Sequence, residues 1–139
     1  LAVACAAFFQ FAARFFADGF VDRHSPAGVA RAMLSVLMAG CLLVVFSPFA
    51  WASLLGFALI GIGSSVLFPL AMSAAAQRKD RSAAINVAAL AQFSFLTFML
   101  APPLLGVIAE HWGIRASFAV GLPLVLLSLA TSGSLGGKR

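Results

Sequence analysis

Along the chain, long apolar runs alternate with short polar joints. Leu1–Ala17 is apolar except for Gln10 and Arg14, and it stops at Asp18. Val29–Phe46 carries one charge, Arg31, and ends at Ser47-Pro48. Trp51–Ala76 ends at "QRKDRS"; Ala83–Ala109 and Ala116–Thr131 follow. Within each run the apolar residues are continuous rather than alternating, so none reads as a strand of a membrane barrel. A bilayer core takes about 20 apolar residues as helix. Lipid offers the backbone no hydrogen-bond partner, so each run must close its own bonds as a helix. The expectation is an all-α integral membrane protein with five transmembrane helices.

Composition supports lipid as the solvent. Of the 139 residues 63% are hydrophobic and only 9% are charged, against about 25% charged in an ordinary soluble domain. A water-soluble fold of this size leaves about 30% of its surface to be covered by polar groups, and this chain does not have them. Leu1 already lies inside an apolar run, without a basic segment or a small-residue cleavage site before it. It does not read as a signal peptide. The expectation is a fragment that begins upstream, where a sixth helix would complete an even unit. Cys5 and Cys41 fall within apolar runs without metal-ligand spacing, as small buried hydrophobes do.

The net charge of +5 changes the picture through its placement. Arg14, Arg23 and Arg31 flank the first joint, Arg78, Lys79 and Arg81 fill the third, and Lys138-Arg139 close the chain; Arg115 alone falls at the other side. Basic residues gather on the cytoplasmic side of membrane proteins, which predicts a cytoplasmic C-terminus and an outer N-terminal end. Trp51 and Trp112 fall at the predicted outer boundary, where indole rings prefer to sit. Such a distribution encodes orientation, and no nucleic-acid partner is expected.

The densest polar stretch is "ARFFADGFVDRHSP", residues 13–26. Arg14, Asp18 and Asp22 recur every four residues and share a helical face, with Arg23 next. Asp22-Arg23 resembles the Asp-Arg pair of the cytoplasmic loop motif of the major facilitator superfamily, Gly-x-x-x-Asp-Arg-x-Gly, with Asp18 and Ser25 at its glycine positions. "ARFFAD" resembles a related form, Gly-Arg-x-x-Gly-Asp, with alanine at both glycines. "GFALIGIGSSVLFPLAMSAAAQ" (Gly56–Gln77) is similar to the tenth helix of these transporters, and "LAPPLLGVIAEHWGIRASF" (Leu100–Phe118) to the eleventh and the turn after it. The resemblance implies helices eight to twelve, a partial C-terminal six-helix half. The seventh helix and the N-terminal half of the same protein would be its missing partner.

In that fold the solute passes between two halves that rock against each other. The resemblance makes Arg14, Asp18, Asp22 and Arg23 a cytoplasmic latch. It also places the first, third and fourth helices beside the cavity and the second and fifth at the periphery. Uncharged polar side chains at membrane depth face protein or water, which nominates Gln10, Ser65 and Gln92 as cavity residues. Phe68, Phe95 and Phe98 join them as apolar lining. Gly61 and Gly63 permit close helix approach, and Pro69 and Pro102-Pro103 remove backbone donors and kink their helices. Glu110-His111 reads as a solvated turn at the outer end, and no acidic residue lies mid-helix. Proton coupling would therefore fall to a carboxylate elsewhere. His24 and His111 belong to opposite sides of the bilayer, and no catalytic or metal-binding constellation is present, so neither an enzyme nor a cofactor is expected. The expected role is part of a secondary transporter for a small solute in a bacterial inner membrane. A free-standing five-helix scaffold or assembly subunit is the competing reading.

Overall fold

A computed structural model describes residues 1–21 and 24–135, without the side chains at positions 17, 18, 20, 21, 134 and 135. Six helices follow in order: α1 (Ala2–Val21), α2 (Pro26–Phe46), α3 (Ala50–Ser64), α4 (Leu67–Gln77), α5 (Ala83–Trp112) and α6 (Ile114–Thr131). A 3-10 turn, Ser132–Leu135, ends the described chain. Among the described residues four stretches are long and apolar enough to cross a membrane: Pro26–Phe46, Ala50–Gln77, Ala83–Trp112 and Ile114–Thr131. In α1 the apolar part is shorter, Ala2–Phe16.

The third run, expected as one helix, is two. Pro69 lacks an N–H, so the carbonyl of Ser65 loses its i+4 partner. Helix α3 closes with a tighter bond, Ser65 N–H to the Ile62 carbonyl at 3.2 Å, and α4 restarts with Leu70 N–H on the Val66 carbonyl at 3.0 Å. Pro69 thereby falls in the first turn of α4, where its missing donor costs least. In contrast, α5 runs unbroken through Pro102 and Pro103.

Serines set the starts of two helices. Ser25 accepts from Gly28 N–H at 3.2 Å with Pro26 in the first helical position, so α2 begins earlier than Val29. Ser82 accepts from Ile85 N–H at 3.4 Å at the start of α5. Both satisfy donors that a helix N-terminus leaves without partners. Gly113, at φ +87°, turns the chain from α5 into α6 through a backbone region few other residues adopt.

Small residues decide how the helices meet. Where α2 crosses α3, a Cβ on Gly40 would lie 2.7 Å from the Gly56 carbonyl oxygen, and one on Gly56 would lie 2.8 Å from that of Gly40. The backbones are in direct contact, as small-residue membrane interfaces allow. Gly63 faces α2, against Leu37 and Met33, whereas Gly61 faces α1, against the backbone of Ala6. Two residues apart on one helix, they serve different neighbours. Helix α1 offers α3 a half-buried face of Ala2, Cys5, Ala6, Gln10 and Ala13, while Phe8, Phe11, Phe15 and Phe16 are exposed on the rest of its surface.

Paired contacts fix the direction of each helix. Contacts between α1 and α3 advance together along both, so these helices run the same way, while Gly40–Gly56 and Leu37–Gly63 make α2 antiparallel to them. Helix α6 packs on α2 and α5, and its Phe118 ring meets Phe57 of α3 edge to face at 5.2 Å. Ser117 of α6 donates to the Leu105 carbonyl of α5 at 2.9 Å. A core of Val29, Ala30, Val66 and Leu70, with Met33 against it, joins α2 to α4. Helix α5 contacts α4 and α6 but buries none of its residues.

Candidate functional site

The break between α3 and α4 exposes backbone carbonyls in an apolar setting, where each carbonyl without a partner would cost several kcal/mol, by the order of magnitude for lipid. Side chains satisfy three of them. Ser65 donates its hydroxyl to the Ile62 carbonyl at 2.6 Å, and Ser64 donates to that of Gly61 at 3.2 Å. The Ser65 carbonyl, freed by Pro69, accepts from Arg14 Nε of α1 at 3.0 Å. A cation at the C-terminal end of α3 also meets the negative end of that helix's dipole. Gln10, one turn earlier on α1, donates Nε2 to the Ser64 hydroxyl at 3.2 Å. Gln10, Ser64 and the Gly61 carbonyl thus form a relay beside the Arg14 contact. At the other end of this seam, Cys5 Sγ approaches the Leu54 carbonyl at 3.8 Å.

The expected site residues divide between two surfaces. Gln10 and Arg14 are engaged at the α1–α3 seam. Ser65 is fully buried there, with its hydroxyl turned into its own helix. Gln92, Phe95 and Phe98 stand exposed on α5, and Phe68 is partly exposed on α4. The span formed by α3 and α4 separates the two groups, packing on α1 through α3 and on α5 through α4. Of the expected latch, the side chain of Asp18 and the whole of Asp22 and Arg23 lie outside the described residues.

Two further polar clusters sit toward the end of the bundle where α2 starts and α6 ends. Arg31 Nε donates to the Ser132 hydroxyl at 3.3 Å, tying the start of α2 to the end of α6. In the joint before α5, Asp80 accepts from the Asn86 side chain at 2.9 Å and pairs with Arg78 at 3.3 Å. The Asn86 hydrogen bond, with Arg78 assisting, holds the Asp80 carboxyl below the usual carboxylate range. Both Asp80 and Arg78 are exposed, so the pair contributes little to stability. The Arg31–Ser132 contact was not readable from spacing, since the two residues are 101 apart.

A bundle of long apolar helices with glycine-mediated crossings and few charges within its spans is a multi-pass integral membrane protein. The chain belongs to the Major Facilitator Superfamily, whose family model matches residues 1–133. It is 32% identical over 116 residues to membrane protein MosC of Rhizobium meliloti, covering 81% of this chain and 26% of that protein. It is 33% identical over 114 residues to the uncharacterized transporter y4wD of Sinorhizobium fredii, covering 81% of this chain and 30% of that one. The chain therefore spans less than a third of the length of these curated relatives. No solved structure matches it.

Proposed function

We propose that this chain forms part of the C-terminal half of a secondary transporter that moves a small solute across a bacterial inner membrane by alternating access. Its C-terminus would be cytoplasmic, and the solute would pass along α1, the α3–α4 span and α5. The observation that carries this reading is α5. It is 30 residues long, has no buried residue, and exposes the primary amide of Gln92 at membrane depth. Lipid disfavours such a group, whereas a wet cavity facing a second half of the protein accommodates it. The family membership supports the same assignment.

On this reading Gln92 meets the solute, because an amide can both donate and accept. Phe68, Phe95 and Phe98 supply apolar walls, while Gln10 and Ser65 support the neighbouring seam. In the full coding sequence, Gln92→Ala should raise the KM for uptake about fivefold, the worth of one hydrogen bond, with abundance unchanged. Unaltered kinetics across a panel of sugars, amino acids and cationic drugs would refute the assignment of Gln92. The basic and acidic residues from Arg14 to Arg23 act as the cytoplasmic latch. Asp22→Asn should lower uptake at least tenfold while insertion and abundance hold; normal uptake would remove the latch. Proton coupling, where present, would draw on a carboxylate of the other half.

A further inference from the structure

A cavity of about 290 Å³ opens between α2, α4 and α6, away from the α5 surface assigned to the solute. Leu34, Leu67, Leu70 and Ala71 form its apolar wall, and Ser128 and Ser132 stand on its α6 side. It lies between the first turns of α2 and the last turn of α6, at the end of the bundle that also carries Arg78, Lys79 and Arg81. Arg31 is at its edge. One N–H of this guanidinium donates to Ser132, which itself lines the cavity, and the side chain is exposed. Among the described residues the terminal nitrogens of Arg31 have no partner. Asp80, the acidic side chain described at that end of the bundle, is engaged by Arg78 and Asn86.

We propose that this cavity holds one anionic phospholipid, with its phosphate on Arg31 and the upper part of an acyl chain against Leu34, Leu67, Leu70 and Ala71. The charge complementarity is specific. A planar guanidinium fork, anchored through Nε and open at its other nitrogens, matches two phosphate oxygens. Basic pockets between membrane helices on the cytoplasmic side take anionic headgroups. A zwitterionic lipid would bring its own cation to the same place and lose this advantage. The apolar wall separates a lipid from free phosphate, which has nothing to place against leucine. By bridging α2 and α6 through Arg31 and Ser132, the lipid would brace the two helices not assigned to the solute path.

The test is native mass spectrometry of the full-length protein extracted from nanodiscs made of equal parts phosphatidylglycerol and phosphatidylcholine. Wild-type protein should retain one phosphatidylglycerol in clear preference to phosphatidylcholine. Arg31→Gln should lower that retention about tenfold, the loss of one charge-assisted contact, and Arg31→Lys should lower it less. Ala71→Phe fills the cavity from its α4 wall, leaves the Arg31 side chain itself unchanged, and should abolish retention. It therefore decides the matter even if Arg31→Gln fails to fold. Equal retention of the two lipids, undiminished retention in Ala71→Phe, or displacement of phosphatidylglycerol by inorganic phosphate would each overturn the proposal.

Discussion

Gly61→Val is expected to detach α1 from the rest of the bundle. The backbone of Ala6 occupies the space where a Cβ would be placed on Gly61, and a clash with backbone cannot be relieved by turning a side chain. Both helices would have to move apart. Separation would also lengthen the Gln10–Ser64 and Arg14–Ser65 contacts at the same seam. Overpacking costs about 1–3 kcal/mol and occasionally more; the loss of two interhelical hydrogen bonds adds roughly 0.6 kcal/mol each. A total of about 3 kcal/mol is expected in an SDS titration of the reconstituted protein followed by circular dichroism. Cys5 is half-buried on the same face of α1, so its alkylation by a membrane-permeant maleimide should accelerate as well. Gly106→Ala is the control, because a Cβ there meets nothing within 4 Å. Equal stability of the two variants would show that α1 is not held by this crossing.

Hydropathy alone revealed most of the architecture, for a physical reason. In lipid every backbone group must be satisfied within its own helix, so a run of apolar residues leaves few alternatives, and polar joints mark its ends. The joints were not read from the sequence: α2 starts at Pro26 rather than Val29, although Ser25 with Pro26, and Ser82, have the residue types of ordinary helix starts. The division of the third run was half legible. Pro69 announced an irregularity, but only the structure shows that the helix ends at Ser64 and restarts at Leu67. Gly61 and Gly63 announced close approach, yet not that they face different helices; their angular offset of roughly 200° follows from the helix period, and the choice of neighbours does not. Partners far apart in sequence could not be read at all. Nothing local tells Arg14 that its acceptor is a carbonyl 51 residues away, and nothing local tells Arg31 that it meets Ser132.

The chemistry of the candidate site divides in the same way. Gln10 and Gln92 were equivalent in the sequence, two amides at membrane depth. The structure separates them: Gln10 is committed to Ser64, and Gln92 stands exposed. An amide already engaged between two helices has less left to offer a solute. Truncating Gln10 should therefore report on stability, and truncating Gln92 on uptake. Ser65 likewise contributes its carbonyl more than its hydroxyl, because the hydroxyl already closes the end of α3.

The Arg14 contact leads to a prediction in which the sign of one substitution depends on another. In Arg14→Leu the Ser65 carbonyl has neither a helical donor nor the guanidinium, and an unsatisfied group of this kind costs about 1–3 kcal/mol. Pro69→Ala supplies the helical donor, since residue 69 regains an N–H aimed at the carbonyl four residues earlier. Introduced into Arg14→Leu, it should recover most of the lost stability and join α3 to α4, raising the helical signal. Introduced into the wild type, the same change turns the Ser65 carbonyl toward its own helix axis and draws it away from Arg14, leaving a cation at the seam without its acceptor. The gain of a helical bond is then offset, and the expected change is near zero or destabilising. The double-mutant cycle should show a coupling energy of about 1 kcal/mol or more, well beyond the roughly 0.5 kcal/mol within which independent sites add. Strict additivity would mean that the proline break and the arginine on the neighbouring helix are unrelated. A clear coupling would mean that Pro69 shapes the bundle by exporting a carbonyl from one helix to a cation on another.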